Sequence, residues 1–120
     1  DFDKDLLNWN RAIWHGIVGT YFIEHDLKIR DPEILTAVRR HTTGDTEMTT
    51  LDKIVFMADF IEPGRNFPGV DELRKLSFNG QLDKALITSL NNTIKFVIEN
   101  NQLIHPRSVK ARNYLMQENI

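Results

Sequence analysis

Two side chains able to hold a cation stand eighteen positions apart, His41 in Arg40-His41-Thr42-Thr43-Gly44 and Asp59 in Met57-Ala58-Asp59-Phe60-Ile61-Glu62-Pro63. Helical spacing puts both on apolar faces. His41 follows Val38 by three residues and Ile34 by seven, and Asp59 follows Val55 by four on the side of Ile54 and Ala58. An unpaired carboxylate is costly to bury, so such an Asp calls for a cation or a dense set of donors. His15 lies three residues before Val18, four before Gly19 and seven before Phe22, and also reads as inward. Three ligand-type side chains on three helices suit a metal site in a bundle core. Each alone also reads as an ordinary hydrogen-bonded core residue, and both readings stay open on spacing.

The remaining candidates are weaker. His25-Asp26 lies among Glu24, Lys28 and Arg30 at a helix end, where exposure is the better reading. His105 precedes Pro106 at a helix start, which suits a cap or a ligand contact. Arg65 follows Asp59 in the Pro63-to-Gly69 loop, and arginine recognises phosphate oxygens bidentately. Arg39, Arg40, Arg107, Lys110 and Arg112 add positive charge that is equally consistent with a solvated surface. Thr42, Thr43 and Gly44 offer hydroxyl and backbone donors, or simply end a helix.

Composition narrows the chemistry. The 120 residues contain no cysteine, which excludes disulfides and thiolate metal sites and leaves His, Asp and Glu as ligands. Such donors favour iron, manganese, magnesium or zinc. A formal net charge of −2 argues against a nucleic-acid polymer or membrane surface as partner, though not against a small phosphorylated ligand. With 41% hydrophobic and 27% charged residues and no apolar run of membrane-spanning length, the expected setting is the cytoplasm.

The elements that must position these residues are helical from end to end. A short segment over 3–8 precedes Trp9, and a helix is predicted from His15 to His25. Asp31-Pro32 supplies an N-cap and a proline at the first helical position for a helix carrying Ile34, Leu35 and Val38 and stopping near Thr42 to Gly44. The next starts at Thr49 or Thr50, carries Leu51, Ile54, Val55, Ala58 and Ile61 inward, and ends at Pro63-Gly64. Helices over 70–78 and 82–100 follow, the longer with Leu82, Ala85, Leu86, Leu90, Ile94, Val97 and Ile98 inward. His105-Pro106 opens a last helix through Met116. No repeat or linker divides the series, so residues 1–120 read as one all-α unit.

Several motifs, in order, resemble a known family. They are Trp14-His15-Gly16-Ile17-Val18-Gly19, Arg40-His41-Thr42-Thr43-Gly44, Ala58-Asp59-Phe60-Ile61-Glu62-Pro63-Gly64-Arg65 and Asn66-Phe67-Pro68-Gly69-Val70. His105-Pro106-Arg107 and Ala111-Arg112-Asn113-Tyr114-Leu115 complete the set. Together they resemble the bacterial symmetrical diadenosine-tetraphosphate hydrolases of the HD superfamily, the YqeK-like proteins. The resemblance implies an all-helical HD-type bundle with a metal centre, commonly dinuclear and often iron, that hydrolyses diadenosine tetraphosphate to two ADP. Carried across by motif, His15, His41 and Asp59 match metal ligands, and His41 and Asp59 are the residues assigned to catalysis. Thr43, Arg65 and Asn66 match the nucleotide region, with His105, Arg107 and Arg112 as further pocket residues for a nucleotide such as ADP or GDP.

The family also carries an early metal-binding His and an adjacent His-Asp pair upstream of the matching segment, and His25-Asp26 is misplaced to substitute. The chain is therefore expected to be the C-terminal portion of a domain, to supply part of the ligand set, and to hydrolyse little on its own. Two alternatives stand beside this reading: another HD-type nucleotide phosphohydrolase, and a non-catalytic nucleotide-binding or interaction module. A homodimer is left open.

Overall fold

The structure, a computed structural model, describes residues 19–119. Residues 19–25 are helical and are called α1; the predicted segment over 3–8, and with it His15, lie outside the described residues. Five further helices follow: α2 (Pro32–Arg40), α3 (Thr50–Ile61), α4 (Val70–Phe78), α5 (Leu82–Glu99) and α6 (Pro106–Glu118). The fold is all-α.

Local chemistry sets the boundaries. Asp31 caps α2, its carboxylate accepting from the Glu33 N–H at 2.9 Å, with Pro32 at the first helical position where no N–H is needed. A reciprocal capping box opens α3: Thr49 Oγ1 accepts from the Asp52 N–H, and Asp52 Oδ2 accepts from the Thr49 N–H. Pro63 and Gly64 follow its end. Asn79 and Gly80 stop α4, the latter at φ +76°, where glycine carries no Cβ penalty.

The core is built from one face each of α3, α4, α5 and α6. Phe56 and Met57 of α3, Leu73 and Leu76 of α4, Ala85, Leu86 and Leu90 of α5, and Ala111 and Leu115 of α6 are buried together with Met48. Each large side chain so buried contributes about 1.5–3 kcal/mol. Helix α5 is central, packing against α3, α4 and α6, while α2 packs on α3.

Three expected faces are corrected. The buried positions of α3 are Asp52, Phe56 and Met57; Ile54 is exposed, as are Ala58 and Asp59. Apolar residues occur around most of this helix, so spacing alone selects the wrong stripe. Asp52 can face the core because Arg40 Nη1 donates to its Oδ2 at 2.8 Å alongside the capping N–H. In α2, Leu35 and Ala37 are buried and Ile34 is exposed. In α5, Ile98 is exposed, and Ile94 and Val97 are half-buried beside a cavity.

Among the described residues, no helix is long and apolar enough to cross a membrane.

Candidate functional site

A cavity of about 450 Å³ opens where the turn after α2, the end of α3, the C-terminal half of α5 and the start of α6 converge. It is lined by the polar side chains of His41, Thr42, Thr43, Asp59 and Arg65 and by the apolar ones of Phe60, Ile94, Phe96, Val97 and Leu103. His105 and Ser108 complete the α6 side, with Thr93 on α5 and Gln102 beyond it.

His41 is buried at the C-cap of α2. Its Nδ1 lies against the Val38 carbonyl, which only accepts, so the neutral ring carries its proton on Nδ1 and its lone pair on Nε2. Metal-binding histidines are commonly oriented in this way. The backbone behind it is fixed from both sides. Arg40 joins the buried Asp52, and the Thr43 carbonyl accepts from Ser108 Oγ at 2.8 Å. Gly44 turns the chain at φ +74°, and a Cβ there would meet the Ala111 Cβ at 3.1 Å, so glycine is required by both torsion and space. Thr43 Oγ1 donates to the Gly44 carbonyl, whereas Thr42 Oγ1 is buried with no hydrogen-bond partner among the described residues.

Asp59 occupies the last turn of α3, where the helix dipole disfavours an anion. Arg65 Nη2 compensates it at 3.3 Å, and Arg65 Nε lies 3.8 Å from Glu62. Asp59 and Arg65 side chains are 47% and 51% exposed, so this pair is worth about 0–1 kcal/mol and exchanges readily for another partner. The expectation of a buried Asp59 is thus corrected: its carboxylate opens to the cavity and meets a guanidinium.

His105 is the N-cap of α6 and is buried; its Nδ1 accepts from the Arg107 N–H at 3.1 Å. The ring therefore carries its proton on Nε2 when neutral.

The structure brings His41, Thr43, Asp59, Arg65 and His105 to one cavity. Asn66, Arg107 and Arg112 are not among its lining residues. Asn66 is exposed in the loop before Phe67, and Arg112 ties α6 to α5 by donating from Nε to Asn91 Oδ1 at 2.9 Å. His25 is exposed and stacked on Tyr21. No three His, Asp or Glu side chains among the described residues gather closely enough to hold a metal ion. His41 and Asp59 are thus a partial donor set. Sequence reasoning gave no sign of Phe96, Gln102 or Leu103 as lining residues, because they belong to no motif; Phe96 lies on α5 itself, and only the turn after α5 brings Gln102 and Leu103 round.

Comparison with known proteins bears on this geometry. No protein-family model matches the chain. A Bacillus subtilis protein, "Bis(5'-nucleosyl)-tetraphosphatase, symmetrical", is 43% identical over 111 residues, 92% of this chain and 59% of that protein. A Staphylococcus aureus protein of the same name is 38% identical over 95% of this chain and 59% of its own length. A solved structure from Clostridium acetobutylicum, described as a predicted HD superfamily hydrolase involved in NAD metabolism, is 42% identical with a TM-score of 0.91, covering 98% of this chain and 61% of that one. The chain is an HD-superfamily relative of the symmetrical bis(5′-nucleosyl)-tetraphosphatases. It spans about three-fifths of the length of these relatives.

Proposed function

We propose that this HD-superfamily chain forms part of a metal-dependent phosphohydrolase that cleaves diadenosine tetraphosphate symmetrically to two ADP. One observation carries the reading: one cavity is lined both by His41, Asp59 and Arg65 and by apolar side chains of α5 and the segment after it, the mixture a nucleotide requires. The names of the tetraphosphatase relatives supply the substrate class. This soluble substrate accords with the cytoplasmic setting expected from the sequence.

The residues present fit a divalent metal in part. His41, through Nε2, and the accessible Asp59 carboxylate would hold it, with His15 as the third donor named by sequence and iron the leading ion. Such an ion activates water and neutralises phosphoryl charge. Arg65, held to Asp59 only by an exposed ion pair, is placed to turn to a phosphate. His105, protonated at Nε2, offers a donor from the α6 side, and Ile94, Phe96, Val97 and Leu103 offer an apolar bed for a base or ribose.

The test is the product profile. Diadenosine tetraphosphate incubated with the metal-supplemented protein should give ADP as its nucleotide product, slowly because this chain carries only part of the ligand set, with the residual activity abolished by chelator and by His41→Ala. AMP with ATP would contradict symmetrical cleavage. ADP binding that survives both chelation and His41→Ala would point instead to a nucleotide-binding module.

A further inference from the structure

The segment that carries Arg65 is held from outside the cavity by a residue with no part in the site's motifs. Arg74, on the second turn of α4, directs its guanidinium at three backbone carbonyls. Nε donates to Ile61 at 3.1 Å, and Nη2 donates to Glu62 at 3.0 Å and to Arg65 at 2.8 Å. Its Nη1 faces the exposed Asp71 at 3.4 Å. Ile61 is the last residue of α3, a helix with no basic residue in its last turn. The orphan carbonyls of a helix end are normally met by a local cap or by a cation, so Arg74 caps α3 from a different helix. The same guanidinium fixes the tight turn just beyond, in which the Arg65 N–H donates to the Glu62 carbonyl at 2.9 Å.

We infer that Arg74 is a positioning residue for nucleotide binding, holding the Arg65 backbone, and the helix end that bears Asp59, in register with the cavity. The inference rests on the proposed role of Arg65 as the phosphate contact. Three carbonyls converging on one planar fork are a demand that lysine, a point charge with a flexible stem, meets only in part. The side chain is about a quarter exposed, and it meets the lining residue Arg65 at its backbone carbonyl, so its influence on a ligand passes through the backbone.

A double-mutant cycle on ADP binding in the presence of magnesium tests this, with thermal melting as the control for folding. Arg65→Ala should weaken ADP binding roughly tenfold, the scale of a charge-assisted contact. Arg74→Ala should weaken it several-fold, Arg74→Lys should fall between, and adding Arg74→Ala to Arg65→Ala should change affinity by less than about twofold. Wild-type affinity in Arg74→Ala alongside a damaged Arg65→Ala would overturn the inference, as would losses that simply multiply. Should Arg74→Ala fail to fold, Arg74→Gln is read against the same ordering. Wild-type affinity in Arg65→Ala is a different outcome, and would refute the assignment of Arg65 itself.

Discussion

His41 and His105 line one cavity with their Nδ1 atoms committed in opposite senses. In His41 that atom donates to the Val38 carbonyl, and in His105 it accepts from the Arg107 N–H. A neutral His41 therefore carries its lone pair at Nε2, and a neutral His105 carries its proton there. Two residues of the same type thus suit different partners, a cation for His41 and an anion for His105.

Because His105 is also a helix cap, its two roles can be separated by substitution. His105→Ala should lower stability by about 1 kcal/mol through loss of the N-cap. His105→Asn should recover that stability, since Asn is a favoured cap, while still lacking the imidazole for a ligand. Urea denaturation of both variants checks this; equal stability of His105→Ala and the wild type would contradict it.

Arg40 and Asp52 form the buried tie behind His41, and breaking it from the exposed side leaves the carboxylate stranded. Arg40→Ala should therefore cost about 3 kcal/mol. Chemical denaturation would reveal it, and a loss no larger than that of a surface ion pair would refute the role given to this contact.

Gly44 and Gly80 share a positive φ but differ in surroundings. A Cβ at Gly44 would press on Ala111, whereas nothing lies within 4 Å at Gly80. Gly80→Ala should cost about 1 kcal/mol, the torsional penalty alone, and Gly44→Ala clearly more. Equal losses in paired denaturation curves would show that the contact with Ala111 relaxes freely.

Much of this architecture is legible in the sequence where the signal is local. Thr49, Pro63-Gly64, Asn79-Gly80 and His105-Pro106 mark helix ends through capping and torsional chemistry that acts within a few residues. What cannot be read locally is which face a helix turns inward when apolar residues surround it, and so Ile54 and Ala58 are misassigned and Asp59 is expected to be buried. Arg74 and Asp52 are invisible for a related reason. The partners that decide their placement lie nine to thirteen positions away, and only packing shows that a charged residue faces a carbonyl cluster or the core. At the cavity, His41 and Asp59 stand out by residue type, whereas the wall of Phe96 and Leu103 does not.

Asp83 makes one pH-dependent contribution to stability. Burial alone would raise its pKa, but hydrogen bonds from Lys53 and Asn119 and the Lys53 charge outweigh this and hold the carboxyl below its usual value of 3.8. A depressed folded pKa stabilises above the unfolded value and is lost as pH falls through the folded one. Asp83→Asn should therefore lower the Tm at neutral pH, with the difference from wild type shrinking below about pH 4 and vanishing at stronger acid. A difference independent of pH down to that range would contradict the charge-based account of the contact with Lys53.

The most direct test of the metal and nucleotide assignment is paramagnetic line broadening of the 15N-labelled chain by manganese in the presence of ADP. Backbone signals of 41–43, 59–65 and 105–108 should broaden first, those of α4 beyond Arg74 should persist, and His41→Ala should remove the effect. Broadening centred elsewhere, such as on Lys53 and Asp83, or unchanged broadening in His41→Ala, would contradict the assignment of this cavity.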